Sequence, residues 1–146
     1  MSHSDLDSLY RQVILDHYKH PRNRGEFEDN TITAELNNPS CGDRILLQIK
    51  LDGDVIEDVK FMGEGCSISI ASASMMTQAI KGKTMKEALE MSEEFSRMML
   101  GQEIDIELFG IDDIIALQGV SNFPARIDCA TLAWKAVERV HKNEQE

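Results

Sequence analysis

The feature that most constrains this chain is an abrupt change of hydrophobic period at residues 63–65. Upstream of it, apolar and polar side chains alternate: Ile32, Ala34 and Leu36 in residues 31–36, then Ile45, Leu47, Ile49 and Leu51 in residues 45–51. A two-residue period puts each set on one face of a strand. Val55, Val59 and Phe61 mark a third strand over 55–62, and Asp52-Gly53 supplies residues that accept the positive φ of a tight hairpin turn. Three successive antiparallel strands are expected. Gly63-Glu64-Gly65 then stops the alternation, and Cys66 opens the run SISIASASMMTQAI, where Met75, Met76, Ala79 and Ile80 recur at helical spacing. Small Ala and Ser side chains would let this helix lie close against the sheet. Its methionines read as core filler rather than as copper ligands.

The flanks are helical. Leu6, Leu9, Tyr10, Val13, Ile14, His17 and Tyr18 follow the spacing of an amphipathic helix, with Ser4 as its N-cap and Pro21 beyond its end. Lys19, His20, Arg22 and Arg24 crowd the C-terminal side, either complementing the helix dipole or forming a docking patch. Thr84-Met85-Lys86-Glu87 has the form of a capping box and starts a short helix over 84–91; residues 92–100 read as another, ending at Gly101. Residues 103–113 are acidic and carry no clear period, and 119–124 read as a loop. A final helix carries Cys129, Leu132, Ala133, Ala136, Val137 and Val140 on one side. The order helix, three strands, then helices implies an α+β fold, a small three-stranded antiparallel sheet with helices packed on one face.

The 146 residues suit a single domain, 1–146, large enough to hold a core without disulfides. A formal net charge of −11 sets the whole-molecule field against nucleic acid and anionic membranes and favours a basic protein partner. No apolar run approaches the length of a membrane span, and the N-terminus lacks the pattern of a signal peptide, so the cytoplasm is the expected location.

In that compartment three cysteines suit buried thiols, a metal site or a nucleophile better than a disulfide framework. Each falls at a boundary between elements: Cys41 between two strands, Cys66 at the start of the buried helix, Cys129 near the start of the last helix. Such boundaries expose backbone N–H groups and positive dipole ends that favour thiolates. Three thiolates together raise one another's pKa, and a divalent cation resolves the conflict. Zinc prefers four ligands from Cys, His, Asp and Glu, so a fourth is needed. Asp43 is the best placed, two residues from Cys41 across Gly42; Asp128, beside Cys129, is the rival. His3, His17, His20 and His141 lie on terminal segments and read as surface or hydrogen-bonded helix residues.

The motifs Asn38-Pro39-Ser40-Cys41-Gly42-Asp43, Gly63-Glu64-Gly65-Cys66-Ser67-Ile68-Ser69 and Phe123-Pro124-Ala125-Arg126-Ile127-Asp128-Cys129-Ala130-Thr131-Leu132 resemble those of the IscU/SufU (NifU N-terminal-like) family of iron–sulfur cluster assembly. Asp16-His17-Tyr18-Lys19-His20-Pro21-Arg22-Asn23 is similar as well, so the resemblance spans nearly the whole chain. Three details are similar to the SufU branch of Gram-positive bacteria. The segment between Cys66 and Cys129 is long, Asn122-Phe123-Pro124-Ala125-Arg126 stands in place of a Leu-Pro-Pro-Val-Lys chaperone motif, and Asp128 stands where scaffold members have histidine. Asp128 also departs from the basic residue frequent in SufU proteins.

The resemblance implies a zinc-dependent sulfurtransferase. It would accept persulfide sulfur from a SufS-type, pyridoxal-phosphate cysteine desulfurase and pass it to downstream cluster assembly proteins. Position by position, the zinc ligands would be Cys41, Asp43, Cys66 and Cys129, with Cys41 receiving the sulfur once a desulfurase histidine replaces it on the metal. The site would keep a net negative charge, for which Arg126, one helical turn before Cys129, is the natural counter-charge or guide for the sulfur. The alternatives are a scaffold that assembles a transient [2Fe–2S] cluster on the same cysteines and a zinc-stabilised interaction module without sulfur chemistry.

Overall fold

Alternation, turn chemistry and small-residue packing combine in the fold as expected. The computed structural model describes residues 3–28, 31–38 and 42–145; Cys41 lies outside the described residues. Helix α1 (His3–Lys19) is followed by strands β1 (Ile32–Asn38), β2 (Asp43–Asp52) and β3 (Val55–Glu64). Then come α2 (Ser67–Ile80), α3 (Met85–Met99), 3₁₀ turns at Ile106–Phe109 and Asp112–Asn122, and α4 (Pro124–Glu144). The sheet is antiparallel in the order β1-β2-β3, and it buries Ala34, Ile45, Leu47, Ile49, Val59 and Phe61 on one face. That face meets α2 and α4. Ser72 donates its hydroxyl hydrogen bond to the Ala130 carbonyl at 2.6 Å, and Ala71, Ala73, Ala130 and Ala133 are buried, so small side chains let these two helices approach closely. Trp134 of α4 stacks on Phe95 of α3 and meets the edge of Phe109, closing the core at the far end.

Helix α1 is described from His3, and the side chain of Ser4, its expected N-cap, lies outside the described residues. Three local expectations are corrected. Ile56, not Val55, faces the core at the start of β3, because the β2–β3 register shifts between Lys50 and Leu51 and flips the alternation there. Residues 84–91 and 92–100 do not form two helices. A single helix α3 starts on the Thr84–Glu87 capping box and passes through Ser92, whose hydroxyl bonds Glu138 of α4 at 3.1 Å instead of capping a new start. The stretch read as a loop after residue 118 belongs to the 3₁₀ segment Asp112–Asn122, with Ser121 bonding the Gln118 carbonyl.

The N-terminal helix is tied in by a buried histidine. His17 is fully buried, its Nδ1 2.7 Å from Ser74 Oγ on α2 and its Nε2 2.8 Å from Asp113 Oδ2. The segment after it returns along β3: Gly25 N–H donates to the Phe61 carbonyl, and Phe61 N–H donates to Asn23. In this segment Arg22 is held by Asp16 at 2.7 Å. No helix among the described residues is long and apolar enough to cross a membrane.

Candidate metal centre

Among the described residues, one cluster of metal-ligating side chains stands at the sheet's end where β2, α2 and α4 meet. Asp43, Cys66 and Cys129 each offer a ligand atom there, all within 4.8 Å of one another. Three different boundaries supply them. Asp43 is the first residue of β2, delivered by Gly42, whose φ of +71° lies in the left-handed region that glycine adopts without strain. Cys66 is the N-cap of α2, and Cys129 sits in the second turn of α4, which Pro124 starts at its first helical position. Cys129 is fully buried, Asp43 is 1% exposed and Cys66 is half-buried, so the cluster reaches the surface through Cys66.

The carboxylate of Asp43 is used asymmetrically. Its Oδ1 accepts from the Cys66 backbone N–H at 3.0 Å and lies 3.2 Å from the Ser69 hydroxyl. Its Oδ2 is buried and has no hydrogen-bond partner among the described residues. A buried, unpartnered carboxylate oxygen costs on the order of 1–3 kcal/mol or more, and a cation bound beside it would remove that cost. Two thiolates and one carboxylate form a donor set that suits Zn²⁺, with room in a tetrahedral sphere for a fourth ligand. The residues therefore fit the metal that the cysteine pattern implies.

Arg126 completes the electrostatics. It stands on the exposed first turn of α4, where the neighbouring Cys66 and then Cys129 hold its guanidinium above the ordinary arginine pKa through their negative charge. The structure thus brings together Asp43, Cys66, Cys129 and Arg126. Asp128 is elsewhere: it is exposed and lines a groove of about 500 Å³ with Leu36, Asn38, Lys135 and Arg139. Adjacent helix positions point about 100° apart, so Cys129 facing inward turns Asp128 outward. Two contributors escaped the sequence. Ser69 looked like one more small packing residue, and Gly65 like a strand breaker. A Cβ on Gly65 would lie 2.2 Å from Asp43 Oδ1, so that glycine makes room for the carboxylate; its φ of +147° is equally restrictive.

Residues 9–130 match the NifU-like N-terminal domain family. The zinc-dependent sulfurtransferase SufU of Bacillus subtilis is 65% identical over 136 residues, covering 93% of this chain and 91% of that protein. The iron–sulfur cluster assembly scaffold protein IscU of Streptococcus pyogenes is 46% identical, covering 97% of this chain and 88% of that one. Among solved structures, a putative iron–sulfur cluster assembly scaffold protein for the SUF system from Fervidobacterium islandicum superposes with a TM-score of 0.82 at 42% identity, covering 88% of this chain and 93% of that one. The chain belongs to the NifU-like N-terminal domain (IscU/SufU) family.

Proposed function

We propose that this chain, as one domain over residues 1–146, is a cytoplasmic zinc-dependent sulfurtransferase that accepts persulfide sulfur from a cysteine desulfurase. The observation that carries this reading is the unpartnered Oδ2 of Asp43 in a cluster with two cysteine sulfurs and a neighbouring arginine. The Bacillus subtilis relative, named for the same activity, supports it. The ligands would be Cys41, Asp43, Cys66 and Cys129. Bound zinc supplies a Lewis acid that keeps cysteine ligands deprotonated at neutral pH.

The chain's own residues then divide the work. Asp43, Cys66 and Cys129 form the fixed part of the site, and Cys41 is the acceptor. In the transfer, the Cys41 thiolate attacks the outer sulfur of the desulfurase persulfide. A new S–S bond forms on Cys41, the old one breaks, and the desulfurase cysteine leaves as a thiolate, so no net oxidation or reduction occurs. Arg126, on the exposed side of both sulfurs, offsets negative charge as the anionic persulfide arrives. The partner is a SufS-type pyridoxal-phosphate desulfurase, and the product goes to downstream cluster assembly proteins. The desulfurase would dock on the apolar groove where Phe123, three residues before Arg126 in the chain, is 64% exposed beside Ile68 and Tyr10.

Desulfurase turnover with and without the protein tests the proposal. Wild type is expected to stimulate turnover and Cys41→Ala to abolish the stimulation; undiminished stimulation by Cys41→Ala overturns the assignment. The Streptococcus pyogenes relative favours a second reading, a scaffold for a transient [2Fe–2S] cluster on the same cysteines. Stoichiometric iron and acid-labile sulfide after anaerobic purification would favour it, whereas about one zinc per chain favours the sulfurtransferase.

A further inference from the structure

We propose that Ser69 is a positioning residue that makes Asp43 a one-oxygen ligand, and this rests on the reading of Asp43 as a metal ligand. Helix α2 has Cys66 at its N-cap, yet the Cys66 side chain makes no capping hydrogen bond. The capping role passes to a residue distant in sequence: Asp43 Oδ1 accepts from the Cys66 N–H and lies within hydrogen-bond distance of Ser69, the third residue of the helix. This is the task that a Glu or Gln performs in an ordinary capping box, here carried out from the neighbouring strand.

Anchoring one oxygen twice fixes the plane of the carboxylate and leaves Oδ2 as the atom for the metal. The site is walled for that purpose. Gly65 lies so close that a Cβ there would be 2.2 Å from Oδ1 and 2.7 Å from Ser69 Oγ, which leaves the carboxylate little room to swing. Ser69 has a single hydroxyl proton and three acceptors in reach, the Cys66 carbonyl at 3.0 Å, Asp43 Oδ1 at 3.2 Å and the Cys66 thiolate sulfur at 3.8 Å. A helical serine ordinarily bonds back to the preceding turn. An ionised carboxylate is the stronger acceptor, by roughly twofold in hydrogen-bond strength, and draws the proton to Asp43. Removing the hydroxyl would leave Oδ1 with one donor and free the carboxylate to exchange its oxygens.

The test is zinc release from metal-loaded protein into excess chelator, which does not require a folded metal-free chain. It compares wild type, Ser69→Ala, Asp43→Ala and the double variant; three cysteines remain in the Asp43→Ala background to hold zinc. Outer partners of metal ligands typically change affinity 10–100-fold, so Ser69→Ala is expected to accelerate release about tenfold. In the Asp43→Ala background the same substitution is expected to change the rate less than about twofold, the non-additivity of residues that act through one another. Equal acceleration in both backgrounds, or none in the wild-type background, overturns the proposal for Ser69 alone. Wild-type release rates from Asp43→Ala would instead remove Asp43 from the ligand set, a failure of the underlying reading.

Discussion

Two buried polar clusters share helix α2, and they are finished in opposite ways. Toward the middle of the helix, Ser74 meets His17 and Asp113, a set of residue types that elsewhere serves as a catalytic triad. Here both ring nitrogens of His17 are occupied, Ser74 Oγ also accepts from the Arg22 backbone N–H at 2.8 Å, and His17 and Ser74 are fully buried. A donor–acceptor order satisfies every atom: Ser74 donates to Nδ1, and Nε2–H donates to Asp113. At the helix start, Asp43 keeps one buried oxygen without a partner and Cys66 reaches the surface. A closed network fastens α1 and the 3₁₀ segment to α2, whereas an open one leaves binding capacity for something that is not protein. Satisfaction of hydrogen bonds, more than residue type, separates these two clusters.

The two clusters are expected to respond in opposite ways when each is cut once. Cys129→Ala is expected to lose most bound zinc while the metal-free chain keeps its stability within about 1 kcal/mol, since a small thiol is exchanged for a methyl group. His17→Ala is expected to do the reverse. It leaves a cavity and takes the acceptor from the buried Ser74 hydroxyl, so it should cost about 2–4 kcal/mol, a fall in Tm on the order of 10 °C, with zinc content unchanged. Thermal unfolding and metal analysis on both variants check the pair; zinc loss in His17→Ala would mean that the two clusters are one system.

A smaller effect is expected at Arg126, which is exposed and contributes to charge rather than to packing. Arg126→Ala should leave zinc content and Tm near wild type but slow sulfur uptake, with Arg126→Lys intermediate. A wild-type uptake rate would confine Arg126 to a passive surface role.

The smallest effect lies away from both clusters, at the start of α3. Hydrogen bonds from the Thr84 backbone and then from its hydroxyl hold the Glu87 carboxyl below the ordinary glutamate pKa. A carboxyl lowered in the folded state stabilises above its unfolded pKa, and that contribution fades as the pH falls through the folded value. Thr84→Ala keeps the backbone hydrogen bond but removes the hydroxyl one and the N-cap, so it is expected to destabilise the fold slightly at neutral pH and less in acid, as denaturant titrations at the two pH values would show.

Much of this is legible in the sequence. The alternation of Ile45, Leu47 and Ile49 and the turn at Asp52-Gly53 are local signals with one structural solution, and β2 and β3 follow them. The clustering of Asp43 with Cys66 and Cys129 was legible because each residue stands where an element begins, and the fold collects those beginnings at one end. What escaped depends on partners far away in the chain. Ser92 resembles a helix start until Glu138 takes its hydroxyl, and Val55 fits the strand pattern until the register shift turns it outward. Ser69 could not be told from Ser72 or Ser74 by spacing, since their roles are set by Asp43, Ala130 and His17 respectively.

Whether the open cluster serves sulfur transfer is decided by following sulfur from radiolabelled cysteine through the desulfurase to wild type and to each single cysteine variant. Label is expected on wild type as a reducible persulfide and to be absent from Cys41→Ala, while the desulfurase still charges its own cysteine. Label retained on Cys41→Ala, or no label on the zinc-loaded wild type, would contradict the account.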